Sequence, residues 1–145
     1  MDLSVAQQII WPSEEIPDDN SLWMRVHRQR VRNGEIRPNA FVNRPTETDG
    51  MSTNWEKYAT PQQTQNDANV PNDNAVIQLI VGEVRKLPGQ TVDHTPDIER
   101  NNRAHTDVFG EKSEEVRVKL SRICKIVIPL KTLVFLVATC QLMMI

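Results

Sequence analysis

The run Ala75–Leu87, AVIQLIVGEVRKL, constrains this chain most. It is β-branched and largely apolar, which predicts a strand near the centre of a sheet, with apolar neighbours on both faces. Gly82 inside it marks a bulge or the close approach of another backbone. Shorter stretches supply the neighbours. SLWMRVH alternates, with Leu22, Met24 and Val26 on one side and Trp23, Arg25 and His27 on the other, a period-two pattern that predicts a strand. A helix running on to Gly34 is the competing reading. MSTNW, QTVDHT and RAHTDVFG, the last closed by Gly110, are further strands. IRPNAFVN reads as an extended piece interrupted by Pro38, while RPTETDG and NVPNDN read as loops.

Two helices are expected. Thr60 followed by Pro61 is a helix start with proline at the first helical position. The clearer helix opens at Ser113, with Glu114 and Glu115 in the first turn, where the backbone dipole favours acids. Val116, Leu120, Ile123 and Val127 recur along one face, and Arg117, Lys119, Arg122 and Lys125 fill much of the rest. The expected class is α+β: a small sheet of short strands with one strong C-terminal amphipathic helix packed on it, plus an apolar C-terminal tail. The expected division is an N-terminal arm over 1–16, the domain over 17–125 and the tail over 126–145.

The 145 residues suit one domain able to bury a core without staples. A net charge of -2 gives no global attraction to nucleic acid or an anionic membrane. The two cysteines, Cys124 and Cys140, show no metal-ligand spacing and no disulfide framework. No signal peptide is read at the start, so a reducing, cytoplasmic setting is expected. The tail, IVIPLKTLVFLVATCQLMMI, carries one charge, Lys131, and follows a basic flank. A helix needs about 20 apolar residues to cross a bilayer, so the tail is expected to attach the domain to a membrane or a partner. The opposing reading makes IVIPL the end of the domain core.

Three groups of residues have the composition of sites. His94, Asp97, His105 and Asp107 would gather if VDHTPD and AHTDV paired as neighbouring strands. Imidazole beside carboxylate suits general acid–base chemistry, which predicts a small hydrolase or nuclease. A solvated strand face accounts for the same residues. Arg25, Arg28, Arg30 and Arg32, joined by Arg103, are candidates for holding an anion. Ion pairing with the acids Glu14, Glu15, Asp18 and Asp19 accounts for the stretch as well. It lacks interleaved aromatics, so nucleic acid is not an expected partner. In the third group, the order Arg25, Ser52-Thr53, Glu83 is similar to the ADP-ribosyltransferase pattern. That resemblance implies an arginine holding a dinucleotide, a Ser-Thr strand shaping the pocket and a glutamate orienting the ribose. No phosphate-cradling glycine loop and no G-x-S-x-G occurs, and no metal site or cofactor is expected.

Taken together, LWMRVH, IRPNAFVN, MSTNWEKYATP, VGEVRKLPGQTVDHTP and NRAHTDVFGEK resemble a family of small uncharacterised bacterial proteins. Their shared pattern combines an AF, an MS or LS segment, a central G-x-V/A-R strand and a late N-x-A-H…G. The resemblance covers residues 17 to about 125 and implies no activity and no catalytic residue. It implies a domain ending near Lys125. The leading expectation is a non-enzymatic accessory or interaction domain with an unidentified protein partner.

Overall fold

The computed structural model describes residues 10–46 and 49–131. Its strands are β1 (Ser21–His27), β2 (Val31–Arg32), β3 (Glu35–Ile36), β4 (Met51–Trp55), β5 (Asn74–Ile80), β6 (Thr91–His94), β7 (His105–Phe109) and β8 (Lys125–Ile128). Its helices are α1 (Pro61–Asn66), α2 (Val81–Arg85) and α3 (Glu114–Ile123). Six strands form one antiparallel sheet in the order β6-β7-β4-β1-β5-β8, and β2-β3 is a separate ribbon. The class is α+β, as the sequence predicts.

SLWMRVH is a strand and not a helix. It pairs along its whole length with β5, from Ser21 opposite Ile80 to His27 opposite Asn74. Its alternation places Leu22, Met24 and Val26 in the core. β5 lies inside the sheet, and Val76, Ile77 and Leu79 are completely buried, which accounts for its unbroken apolar run. Met51, Trp55, Val92 and Val108 extend the same core face. Phe41, Val84, Val116 and Leu120 cover it from outside the sheet. Ser113 caps α3, its Oγ accepting from the Val116 N–H at 3.2 Å.

The structure departs from the sequence expectations at several places. The strand predicted through Leu87 stops at Ile80, and VGEVR is the short helix α2. The turn at Asp18–Asn20 imposes the change: the Val81 N–H donates to the Asn20 carbonyl at 2.9 Å and the Gly82 N–H to that of Asp18 at 2.8 Å. A Cβ on Gly82 would lie 3.0 Å from the Asp18 Cβ, so this is the close approach that the glycine signals. The helix predicted to include Val127 ends at Ile123. Residues 125–128 leave it and pair with the outer edge of β5, Ile126 opposite Ile77 and Ile128 opposite Val76. Ile126–Ile128, which the expected boundary puts in the tail, are thus paired into the sheet. The arm is also built in, since Ile16 is a core residue. Residues 132–145, where most of the membrane expectation falls, lie outside the described residues. Among the described residues no helix is long and apolar enough to cross a membrane.

Candidate functional site

The sheet has an apolar face and a polar face, and register decides which residues meet on each. β4 and β7 pair with Ser52 opposite Asp107 and Asn54 opposite His105. β1 pairs with β4 with Trp23 opposite Asn54. Directly opposed residues share a face. Ser52, Asn54, His105, Asp107, Trp23 and Arg25 therefore form one polar surface across three strands.

His105 and Asp107 do share a face, as the alternation predicts, yet neither is solvated. His105 is 9% exposed and Asp107 4% exposed, because the loop after β6 folds over them. Thr95 in that loop makes the key contacts. Its carbonyl lies 2.9 Å from His105 Nδ1 and its hydroxyl lies 3.0 Å from the same nitrogen. The hydroxyl proton goes to Asp107 Oδ2 at 2.9 Å, leaving two acceptors facing Nδ1. The network thus assigns the imidazole proton to Nδ1, and Nε2 carries the lone pair. Ser52 Oγ stands 2.8 Å from Nε2 and donates to it. Ser52 is exposed, so a buried imidazole holds a solvent-facing hydroxyl. Asp107 Oδ1 accepts from Arg44 Nη2 at 2.8 Å, and its other oxygen is 3.9 Å from His105 Nδ1, beyond hydrogen-bond reach.

A cavity of about 730 Å³ opens over this surface, with Trp23, Arg25, Arg44, Ser52, Asn54, Arg100 and His105 among its walls. α1 closes one side. Thr64 at its centre accepts from Asn54 Nδ2 through its hydroxyl at 3.1 Å and from Arg25 Nη1 through its carbonyl at 3.1 Å. The loop between β6 and β7 closes another, where Asn102 Nδ2 donates to Asn54 Oδ1 at 2.9 Å. Asn101 in this loop holds a left-handed φ of 54°. Exposed Val42 adds an apolar lip.

Asp97 lies on the cavity wall, whereas His94 and Arg103 lie apart from this site. β6 does pair with β7, but His94 sits opposite Thr106 and so faces the core, on the side away from His105. There His94 Nδ1 accepts from the Glu14 N–H at 3.0 Å and Nε2 donates to the Arg103 carbonyl at 2.6 Å. Its ring packs on Trp55 and Tyr58. The Arg103 guanidinium lies 4.3 Å from the centre of the Tyr58 ring. Glu14 binds Lys57 at 2.6 Å and the Tyr58 hydroxyl at 2.5 Å; these bonds, Lys57 first, hold its carboxyl below the usual range. His94 and Arg103 thus anchor the N-terminal arm. Asp97 binds the Arg100 backbone N–H at 3.2 Å within the site loop. Asp18 pairs away from the arginine stretch, with Arg85, while Arg28 meets Asp73 at 3.7 Å. Arg30 is exposed on the turn after β1. Of the ADP-ribosyltransferase-like trio, Arg25 and Ser52-Thr53 line the cavity, but exposed Glu83 in α2 is outside its walls. Thr53 donates from its hydroxyl to the Thr106 carbonyl at 2.8 Å.

Sequence reasoning missed Thr95, Arg44 and the pairing of Ser52 with His105. The alternation of MSTNW does place Ser52 and Asn54 on one side. That this side meets His105 depends on β4 lying beside β7, which no local pattern states. No protein family, curated protein or solved structure matches this chain.

Proposed function

We propose that the chain is an accessory domain that binds a small anionic molecule in the cavity on the polar face of the sheet. The observation carrying this reading is Arg25. It projects from β1 into the cavity wall, bonds only to the Thr64 carbonyl, and makes no ion pair among the described residues. A guanidinium is a planar fork suited to a carboxylate or phosphate. The volume falls within the ~300–1,000 Å³ usual for small-molecule sites, and Trp23 and Val42 add apolar surface beside the polar groups. The likeness to the family of small bacterial proteins, carried by motifs alone, fits such a role without naming a ligand. Attachment to a membrane or partner protein through the apolar residues after Lys131 belongs to the same proposal on sequence grounds.

Titration of the full chain with a panel of small carboxylates, sugar phosphates, mononucleotides and a dinucleotide, followed by calorimetry, tests it. One class is expected to bind, and Arg25→Met to weaken it by about 10–100-fold, the worth of a charged hydrogen bond of about 1.5–3 kcal/mol. Arg28→Met and Arg30→Met should bind normally. Binding that survives Arg25→Met, or no binding by any member, overturns the proposal. Dinucleotide binding that requires Arg25 would revive the ADP-ribosyltransferase-like reading, and a requirement for Glu83 would complete it.

A further inference from the structure

We infer that Ser52 is a nucleophile and His105 its general base, so that the cavity carries acyl-transfer chemistry on activated esters. The inference goes beyond ligand binding and does not rest on it, since the dyad is assembled whatever the cavity holds. Three observations carry it. Ser52 Oγ lies 2.8 Å from His105 Nε2, within the reach that proton transfer needs. Nδ1 is committed to the Thr95 carbonyl at 2.9 Å, which fixes the tautomer whose free lone pair faces the serine. The two residues also differ in access: His105 is buried and Ser52 exposed, both on the wall of one cavity. A serine that only tied β4 to β7 would need neither the fixed tautomer nor an open side.

The remaining network orients the base. Asp107 does not reach the imidazole; it holds the Thr95 hydroxyl at 2.9 Å and is itself held by Arg44 at 2.8 Å. Asp107 is thus a positioning residue acting through Thr95. In the reaction, Ser52 Oγ bonds to the ester carbonyl carbon as its proton passes to His105 Nε2. The bond between carbonyl carbon and leaving oxygen breaks, and the leaving alkoxide takes the proton from Nε2. The acyl group stays on Oγ until a water, giving its proton to the same nitrogen, adds to the carbonyl. Ser52 Oγ then leaves and is reprotonated, and the acid is released. No oxidant, reductant or metal enters the balance.

The test uses the purified full chain with p-nitrophenyl acetate and with a fluorophosphonate, and peptide mapping locates the adduct. We expect acylation and phosphonylation at Ser52, none there in Ser52→Ala, and a rate at least ~100-fold lower in His105→Gln, the usual worth of a general base. No adduct at Ser52, or an adduct formed equally fast without His105, overturns the inference. Because His105 is buried, its variant could fail to fold; Ser52→Cys then decides. With His105 intact, that thiol should be alkylated by iodoacetamide at neutral pH at least ~10-fold faster than free glutathione, as expected for a thiol paired with imidazole. Alkylation no faster than glutathione overturns the inference as well.

Discussion

His94 and Lys112 are polar groups that the fold buries, and each has a measurable consequence. His94 is 1% exposed and bonds on both ring nitrogens. His94→Ala leaves a cavity and two unpaired groups, the Glu14 N–H and the Arg103 carbonyl. It should cost about 2–4 kcal/mol in chemical denaturation and open the chain near Ser13–Ile16 to limited proteolysis. Unchanged stability would remove the arm from the folded unit. Lys112 is 7% exposed, and its ammonium donates to the carbonyls of Val108 at 3.0 Å and Gly110 at 2.7 Å. Burial pushes it down from the usual 10.5 to about 8. Between those two values the unfolded chain holds more protons at this site than the folded one. Stability of the wild type relative to Lys112→Met should therefore rise from pH 8 towards pH 10.5, as read by denaturant midpoints. A flat or falling difference contradicts this assignment. At the site, His105 and Asp107 were legible as face-sharing residues, because a two-residue period is local. Their burial was not, since it depends on where the Thr95 loop goes.

Among the elements, α1 shows how a short helix can shape a site. Six residues are too few to be stable alone, so caps and contacts hold it. Thr60 and Gln63 form a reciprocal capping box, at 3.1 Å and 2.9 Å. Thr60→Ala should cost about 1 kcal/mol in thermal or chemical unfolding. It should also weaken ligand binding in the cavity, because Arg25 and Asn54 both lean on Thr64. A variant with full stability and full binding would show that α1 does not support the wall. Thr60-Pro61 and Ser113 announced the two capped helices, since caps are short-range chemistry. The end of α3 was not legible. Val127 fits the helical spacing of Val116, Leu120 and Ile123, but Cys124 has an extended backbone with ψ at 154°, and the next residues pair with β5.

For the whole molecule, β8 decides where the domain stops. A chain ending at Lys125 lacks most of the strand on the outer edge of β5, including the half-buried Ile126, Val127 and Ile128. It should lose about 2–4 kcal/mol against a chain ending at Lys131, which should unfold at the denaturant midpoint of the full chain. Equal stability of the two truncated forms would return the boundary to Lys125. In vesicle flotation the full chain should float and the chain ending at Lys131 should not; equal behaviour rejects membrane attachment through 132–145. The amino-acid sequence alone determined the α+β class, the central apolar strand, most strand positions and the capped helix starts, because alternation, β-branching and caps act within a few residues. Tertiary structure decided the rest. The order β6-β7-β4-β1-β5-β8 brought Ser52 of MSTNW to His105, more than fifty residues away, and set His94 on the other face. Cross-strand pairing joins residues distant along the chain, and which strands become neighbours is settled by burial summed over the whole core rather than by any local signal.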